Sequence, residues 1–417
     1  QKCELGLLDP AWSPEPPLLA EADDVQIDDD ESRALARDLA RRSIVLLRNE
    51  NALPLPIGGR IAVVGPRAHA AEAMFGCYSF PMHVGVHYPT VAMGIDVPTV
   101  LDALRADQAG YDLSYTEGCP VVGGDDTGIA EAVQLARDAD VCVAVLGDRA
   151  GLFGLGTSGE GCDVADLRLP GRQAELLDAL LDTGTPVVLV LLVGRPYELR
   201  QVERLGAVVC GFFPGEEGAT ALADVLTGRV NPSGRLPISF PAPGVSQPAT
   251  YLGAALARRH EASTVDPTPL FPFGHGLSYA PATWVDVSMR SEDRWPTDGT
   301  CRVAVTLRND EQIPTTEVVQ VYLHDLVAET ARPVQQLIAA ARVDLAVGQA
   351  TTVRFDLHAD LTSYTGRAGR RQVDPGEVEL RIGASSTDIR AVLRSTMDGP
   401  RREVGADRVL LPDITAE

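Results

Sequence analysis

An α/β layered sandwich with a mostly parallel sheet, followed by an all-β sandwich, is the fold class this sequence predicts. Three observations carry that reading. Four short apolar runs, IAVVG (61–65), VCVAVLG (141–147), VVLVLLVG (187–194) and AVVCGFF (207–213), have the composition of strands buried on both faces. Helical patterns lie between them, as the crossovers of parallel strands require. Beyond Trp284 those patterns nearly vanish and two-residue alternation takes over.

In chain order, residues 1–30 are rich in Pro and Asp (DPAWSPEPPLLAEADDVQIDDDES) and read as a linker. From Glu31 to Arg48, Ala34, Leu35, Leu39, Ile44 and Leu47 recur at helical spacing behind Asp28 to Asp30, which predicts a helix bending into the IVLL run. The α/β unit is expected over 31–245, with crossover helices over Val97–Ala106, Thr127–Asp138 and Gln173–Leu181. Binding groups in such sheets gather on loops leaving the carboxyl ends of strands, here after Gly65, Gly147, Gly194 and Phe213. A connection over 246–283, broken by Pro and Gly, precedes a sandwich over 284–400. Alternation at Val303, Val305, Leu307; Val319, Val321, Leu323; Val353, Phe355, Leu357; and Val378, Leu380, Ile382 fits the immunoglobulin or fibronectin III kind. The acidic tail, 401–417, is expected to be loosely held.

The chain has 417 residues, room for two or three domains at ~150 each, and its 45% apolar and 23% charged residues are ordinary for globular proteins. Its net charge of −22, from 36 basic and 58 acidic residues, repels phosphate backbones and anionic lipid, so neither nucleic acid nor membrane is an expected partner. The longest apolar run, Val187 to Val193, is far below the ~20 residues of a membrane helix. Seven scattered cysteines form no CxxC pair or disulfide framework, and no leader precedes Gln1; a cytoplasmic location is the expectation.

The most informative segment is GDRAGLFGLGTSGEGCDVADLRLPG, residues 147–171. Gly154, Gly156 and Gly159 satisfy GxGxxG, but a dinucleotide loop should turn at once from strand to helix. Here the pattern starts seven positions after Gly147, the helix waits until about Gly171, and Glu160 and Asp163 would repel phosphate. Glu160, a carboxylate held among glycines on an exposed loop, suits a general acid. The plainer alternative has Glu160 and Asp163 solvating the loop or capping a helix. Asp163, Asp166 and the LPG resemble turn and capping groups.

Several long strings, SIVLLRNENALPLP, RIAVVGP, SGEGCDVADLRLPGRQAELL, GTPVVLVLLVGRPYEL, FFPGEEGATALADVLTGRVNPSGRLPISFP and FPFGHGLSY, run in one order over 31–280 and together resemble glycoside hydrolase family 3. EVVQVYLHD, LAVGQ and DPGE are similar to the fibronectin III-like domain that follows in many members. The resemblance implies an exo-acting, retaining β-glycosidase, commonly a β-glucosidase or β-xylosidase, acting on terminal non-reducing β-linked sugars. It assigns the acid/base to the Glu of the GEG loop, Glu160, and the nucleophile to an Asp on a preceding (β/α)8 barrel. Such a barrel needs ~250 residues, whereas about thirty precede the first helix here, and QKCELGLLD resembles the last barrel helix and its exit. The barrel is therefore expected on a neighbouring domain or chain. A retaining mechanism needs two carboxyl groups ~5–5.5 Å apart, so this chain alone is expected to be inactive. No metal or organic cofactor is implied; the implied partners are a β-glycoside or oligosaccharide substrate and the barrel.

Candidate substrate-binding residues are Phe153, Ser158, Tyr78 and Phe80. The last two lie in the loop 69–88, whose Phe75, Tyr78, Phe80, His83 and His87 suit either a sugar-stacking wall or a packed interdomain loop. His83 and His87 lack a third zinc ligand and have Gly85 between them. Asp148 and Arg149 either orient Glu160 or pair with each other. Arg195, Glu216 and Glu217 share the same sheet edge, the last two in a structural role, and His275 reads as a hydrogen-bonded structural histidine. Two other classes stay open: a noncatalytic carbohydrate-binding or scaffold protein without the barrel, and, third, a nucleotide-dependent oxidoreductase.

Overall fold

The computed structural model describes residues 1–14, 28–88, 90–245, 250–290 and 294–417. Helix α1 (Asp30–Ser43) begins where the Asp29 carboxylate accepts the backbone N–H groups of Glu31 and Ser32. Acidic residues open it and Arg41 and Arg42 close it, matching the helix dipole. The expected bend into IVLL is instead a change of structure. Ile44 ends the helix in extended conformation, and β1 (Val45–Asn49) pairs antiparallel with the later strand Ala207–Cys210. Val45, Leu46 and Leu47 are buried on both faces, an environment a surface helix cannot supply.

Next come β2 (Arg60–Val64), α2 (Phe80–His83), α3 (Val100–Arg105), β3 (Asp112–Thr116), α4 (Ile129–Asp138), β4 (Val141–Gly147), α5 (Gln173–Leu181), β5 (Val187–Leu192), β6 (Ala207–Cys210) and α6 (Gly218–Leu226). The sheet order is β1-β6-β5-β4-β2-β3, with every pairing parallel except β1 to β6. Alternate residues of each central strand feed opposite layers. Val143 and Val145 join Leu101, Leu104, Leu222 and Leu226, whereas Cys142, Ala144 and Leu146 join Leu176 and Leu180. Cys142 lies wholly within the core, and burial pushes its thiol up to about 12. The edge strand β3 is only partly buried, and its sequence, DLSYT, contains no apolar run to announce it.

Packing of α1 on α6 centres on one carboxylate. Asp224 is fully buried and takes Arg37 at 2.9 Å, Arg41 at 2.6 Å and Arg229 at 2.9 Å. Burial alone would raise its pKa, but the three guanidinium groups outweigh burial and hold it below the usual range.

The remaining strands are β7 (Thr283–Met289), β8 (Arg294–Pro296), β9 (Thr300–Arg308), β10 (Thr315–Asp325), β11 (Gln336–Leu345), β12 (Ala350–His358), β13 (Tyr364–Thr365), β14 (Arg371–Val373), β15 (Gly376–Gly383), β16 (Ile389–Asp398), β17 (Arg402–Glu403) and β18 (Asp413–Ala416). They form sheets β11-β10-β15-β16-β8 and β18-β12-β9-β7, plus a small β13-β14-β17 sheet. Trp295, Val305, Phe355 and Leu380 sit in the core of the two larger sheets. The tail is not loose: β18 pairs antiparallel with β12, Ile414 opposite Phe355, and Glu417 forms an ion pair with Arg354. A backbone ladder thus offsets the tail's acidity.

Contacts tie the two units together. Arg235 and Glu317 pair at 2.7 Å, and Gln320 donates to the Gly274 carbonyl at 3.1 Å. His275 Nε2 lies 2.8 Å from the Leu47 carbonyl oxygen, the structural place expected of it. Among the described residues no helix is long and apolar enough to cross a membrane.

Asp224→Asn should destabilise the chain by roughly 2 kcal/mol. That is below the ~3–5 kcal/mol of a fully buried pair, because the arginines are a third or more exposed and partly screened. Urea unfolding of both proteins measures it, and an unchanged midpoint would show that the cluster contributes nothing.

Candidate active site

The site is built at the carboxyl ends of β4 and β5. Gly147 closes β4 with φ +146°, and a Cβ there would lie 1.9 Å from the Leu192 carbonyl oxygen, so only glycine lets the strands approach so closely. Gln173, the first residue of α5, accepts from the Gly147 N–H at 2.7 Å and donates to its carbonyl at 2.9 Å. The strand end is thereby satisfied, and the chain can leave the sheet.

Asp148 follows, with no exposed surface. Its carboxylate accepts the Thr157 hydroxyl at 2.7 Å, the Tyr197 hydroxyl at 2.5 Å and the Gly194 N–H at 2.8 Å. Three donors from two parts of the chain, Thr157 and the segment 194–197, thus converge on it. Burial first, and the neighbouring carboxylate second, push the Tyr197 phenol far above its ordinary range. It therefore remains a donor at any working pH.

This anchor holds both ends of an exposed loop. The Thr157 N–H donates to the Arg149 carbonyl at 2.8 Å, Gly151 N–H to Ser158 at 2.9 Å, and Phe153 N–H to Glu160 at 2.8 Å. Arg195, just past β5, donates to the carbonyls of Thr157 at 3.1 Å and Cys162 at 2.6 Å. Gly159 has φ +127°, and a Cβ there would meet the Gly151 carbonyl oxygen at 2.0 Å. Phe153 adopts φ 53°, a left-handed conformation unfavourable for a bulky residue, so the ladder holds strain at the loop's tip.

Glu160 is presented to solvent by this loop, and its carboxylate accepts the Tyr78 hydroxyl. That hydrogen bond is the largest influence raising the Tyr78 phenol above its ordinary value. Tyr78 lines a cleft of about 830 Å3 together with Ser158, Gly159, Asp163, Arg195 and Phe213. Tyr78 and Ser158 thus line one cleft, and Glu160, which does not itself line it, is joined to it through Tyr78. Ser158 is buried, its Oγ directly against Gly194, where a Cβ would come within 2.0 Å. Phe153, at the loop tip, and Phe80, on the first turn of α2, are exposed, and neither lines the cleft.

Other residues take different places from those expected. Asp148 does not pair with Arg149, which donates to the Leu155 carbonyl at 3.2 Å. A buried acid needs several donors, and its neighbour points the other way. Asp163, read as a turn group, lines the cleft. Phe75 is buried, whereas His83 closes α2 and His87 lies in the next 3₁₀ turn, so the two share no helix face. Glu217 pairs with Arg33 of α1 at 2.9 Å. Sequence reasoning missed the roles of Thr157, Arg195 and Tyr197. The available signal was an acid directly after a wholly apolar strand, which must be matched wherever it is buried.

Removing that anchor gives a direct test. Asp148→Ala orphans three donors at ~1–3 kcal/mol each and should cost at least ~3 kcal/mol. It should also speed hydrogen exchange at the Gly151 and Phe153 amides ahead of the β4 amides. Uniform exchange in both proteins would show that the loop does not depend on Asp148.

The family model described as glycosyl hydrolase family 3 C-terminal domain matches residues 44–279, and a fibronectin type III-like domain matches 317–386. A beta-xylosidase of Formosa agariphila is 32% identical over 92% of this chain and 52% of its own length. A periplasmic beta-glucosidase of Salmonella typhimurium is 32% identical over 93% of this chain and 53% of its own. The crystal structure of a beta-glucosidase from Listeria innocua superposes with a TM-score of 0.80 at 28% identity, over 96% of this chain and 54% of that one. The chain spans about half the length of the curated relatives it matches.

Proposed function

The chain belongs to glycosyl hydrolase family 3, and from that premise we propose that it is the acid/base-bearing portion of an exo-acting, retaining β-glycosidase. Glu160 is the general acid/base in this reading. The observation that supports it is that carboxyl's exposure to solvent and its hydrogen bond from the cleft residue Tyr78, on a loop pinned at both ends.

In the first step Glu160 gives its proton to the departing glycosidic oxygen while an Asp on a (β/α)8 barrel outside this chain attacks the anomeric carbon. The C–O bond to the aglycone breaks and a glycosyl–aspartate bond forms. In the second step the Glu160 carboxylate takes a proton from water, whose oxygen displaces the aspartate. The terminal sugar, glucosyl or xylosyl, leaves and the enzyme returns to its starting charge. Tyr78, Phe80 and Phe153 offer apolar ring faces to sugar C–H surface, and Ser158 adds a hydroxyl to the cleft wall.

Two measurements test the proposal. Given one of the two carboxyl groups, the chain alone should not turn over aryl β-glucosides or aryl β-xylosides, and robust turnover would defeat the division of labour. In the enzyme assembled with its barrel, Glu160→Gln should slow substrates with poor leaving groups by ~10²–10⁴-fold. Dinitrophenyl glycosides, which need no proton to depart, should lose far less in their first step. Equal loss for both would remove Glu160 from the acid role.

A further inference from the structure

A second cavity, of about 860 Å3, lies where residues 250–269 pack against β15 and β16. Its wall carries four arginines, Arg258, Arg259, Arg381 and Arg394, and one carboxylate, Glu379. Arg381 and Arg394 share Glu379 at 2.9 Å and 3.4 Å, and Arg259 pairs with Asp266 at 3.0 Å. Arg258, exposed on that wall, makes no ion pair among the described residues; desolvation where it meets the wall and the Arg381 charge both push its guanidinium below its ordinary value. Four guanidinium groups against two carboxylates leave two positive charges uncompensated, in a chain whose net charge is −22. Like charges held side by side repel, and an arriving anion would relieve that repulsion.

The rest of the wall narrows the kind of anion. Thr250, Thr268 and Thr387 supply hydroxyls, and Tyr251 stacks on Phe273 at 4.0 Å and 11°, a rigid half-buried floor. The volume falls within the ~300–1,000 Å3 of small-molecule sites, more than a bare phosphate requires. Planar guanidinium groups match a carboxylate through paired hydrogen bonds.

We propose that this cavity binds an acidic saccharide, its carboxylate taken by Arg258 and Arg381 and its hydroxyls by the threonine-bearing wall. The site shares no lining residue with the Glu160 cleft and does not depend on the role given to Glu160.

Calorimetric titration of the full chain with a β-linked glucuronate disaccharide, its neutral glucose counterpart and inorganic phosphate tests this. The acidic disaccharide should bind at least about tenfold more tightly than the neutral one, a difference of ~1.4 kcal/mol, and should weaken as salt rises. Arg258→Gln should lower its affinity by about tenfold without lowering the thermal midpoint, since the substitution breaks no ion pair and removes a repelled charge. The comparison of acidic and neutral sugars on the unmodified chain needs no variant. Equal binding of both, binding of neither, or an unchanged affinity in Arg258→Gln would overturn the proposal. Phosphate binding as tightly as the disaccharide would overturn the saccharide assignment.

Discussion

A carboxylate buried away from solvent must be surrounded by donors, and Asp148 meets that demand by drawing Thr157 and the segment 194–197 onto one point. Thr157 closes the loop, Gly194 fixes the exit of β5, and Tyr197 seals the anchor from below. Arg195, just past β5, adds a second clamp through the carbonyls of Thr157 and Cys162. The loop's openness and its fixed position are therefore compatible. Glycines allow its backbone to fold tightly on itself, while a buried acid at the end of β4 decides where that fold stands.

Much of this was legible in the residues. The four apolar runs became β2, β4, β5 and β6, because complete burial on both faces leaves no other composition. The crossover over Gln173–Leu181 appeared with those bounds as α5. Elsewhere single-residue signals failed for identifiable reasons. Ile44 to Leu47 fits a helical period and a strand equally well, and only the antiparallel partner β6 decides between them. Strand β3 is only five residues long, and its alternation, with Leu113 and Tyr115 packed on the core, is too brief to stand out beside the apolar runs. The tail's acidic composition concealed a strand whose partner lies about sixty residues earlier.

The site shows the same division. Glu160 was visible as a carboxylate among glycines, and Tyr78 as an aromatic in a loop after another strand. Their meeting was not, since it depends on contact across 82 positions. Asp148 was noticed but matched to its neighbour Arg149, although the partners that matter lie 9, 46 and 49 positions away. Contacts of that separation arise from the order of strands in the sheet, which places the ends of β4 and β5 side by side.

The central claim is that Glu160 performs the proton transfers, and azide rescue reads this most directly. In the enzyme assembled with its barrel, Glu160→Ala acting on a dinitrophenyl β-glycoside leaves a covalent intermediate that no base can hand to water. Added azide, which needs no base, should then restore turnover and yield the β-glycosyl azide as product. If azide leaves the rate unchanged, while the same rescue follows removal of a different carboxyl group, that other group is the acid/base and Glu160 is not.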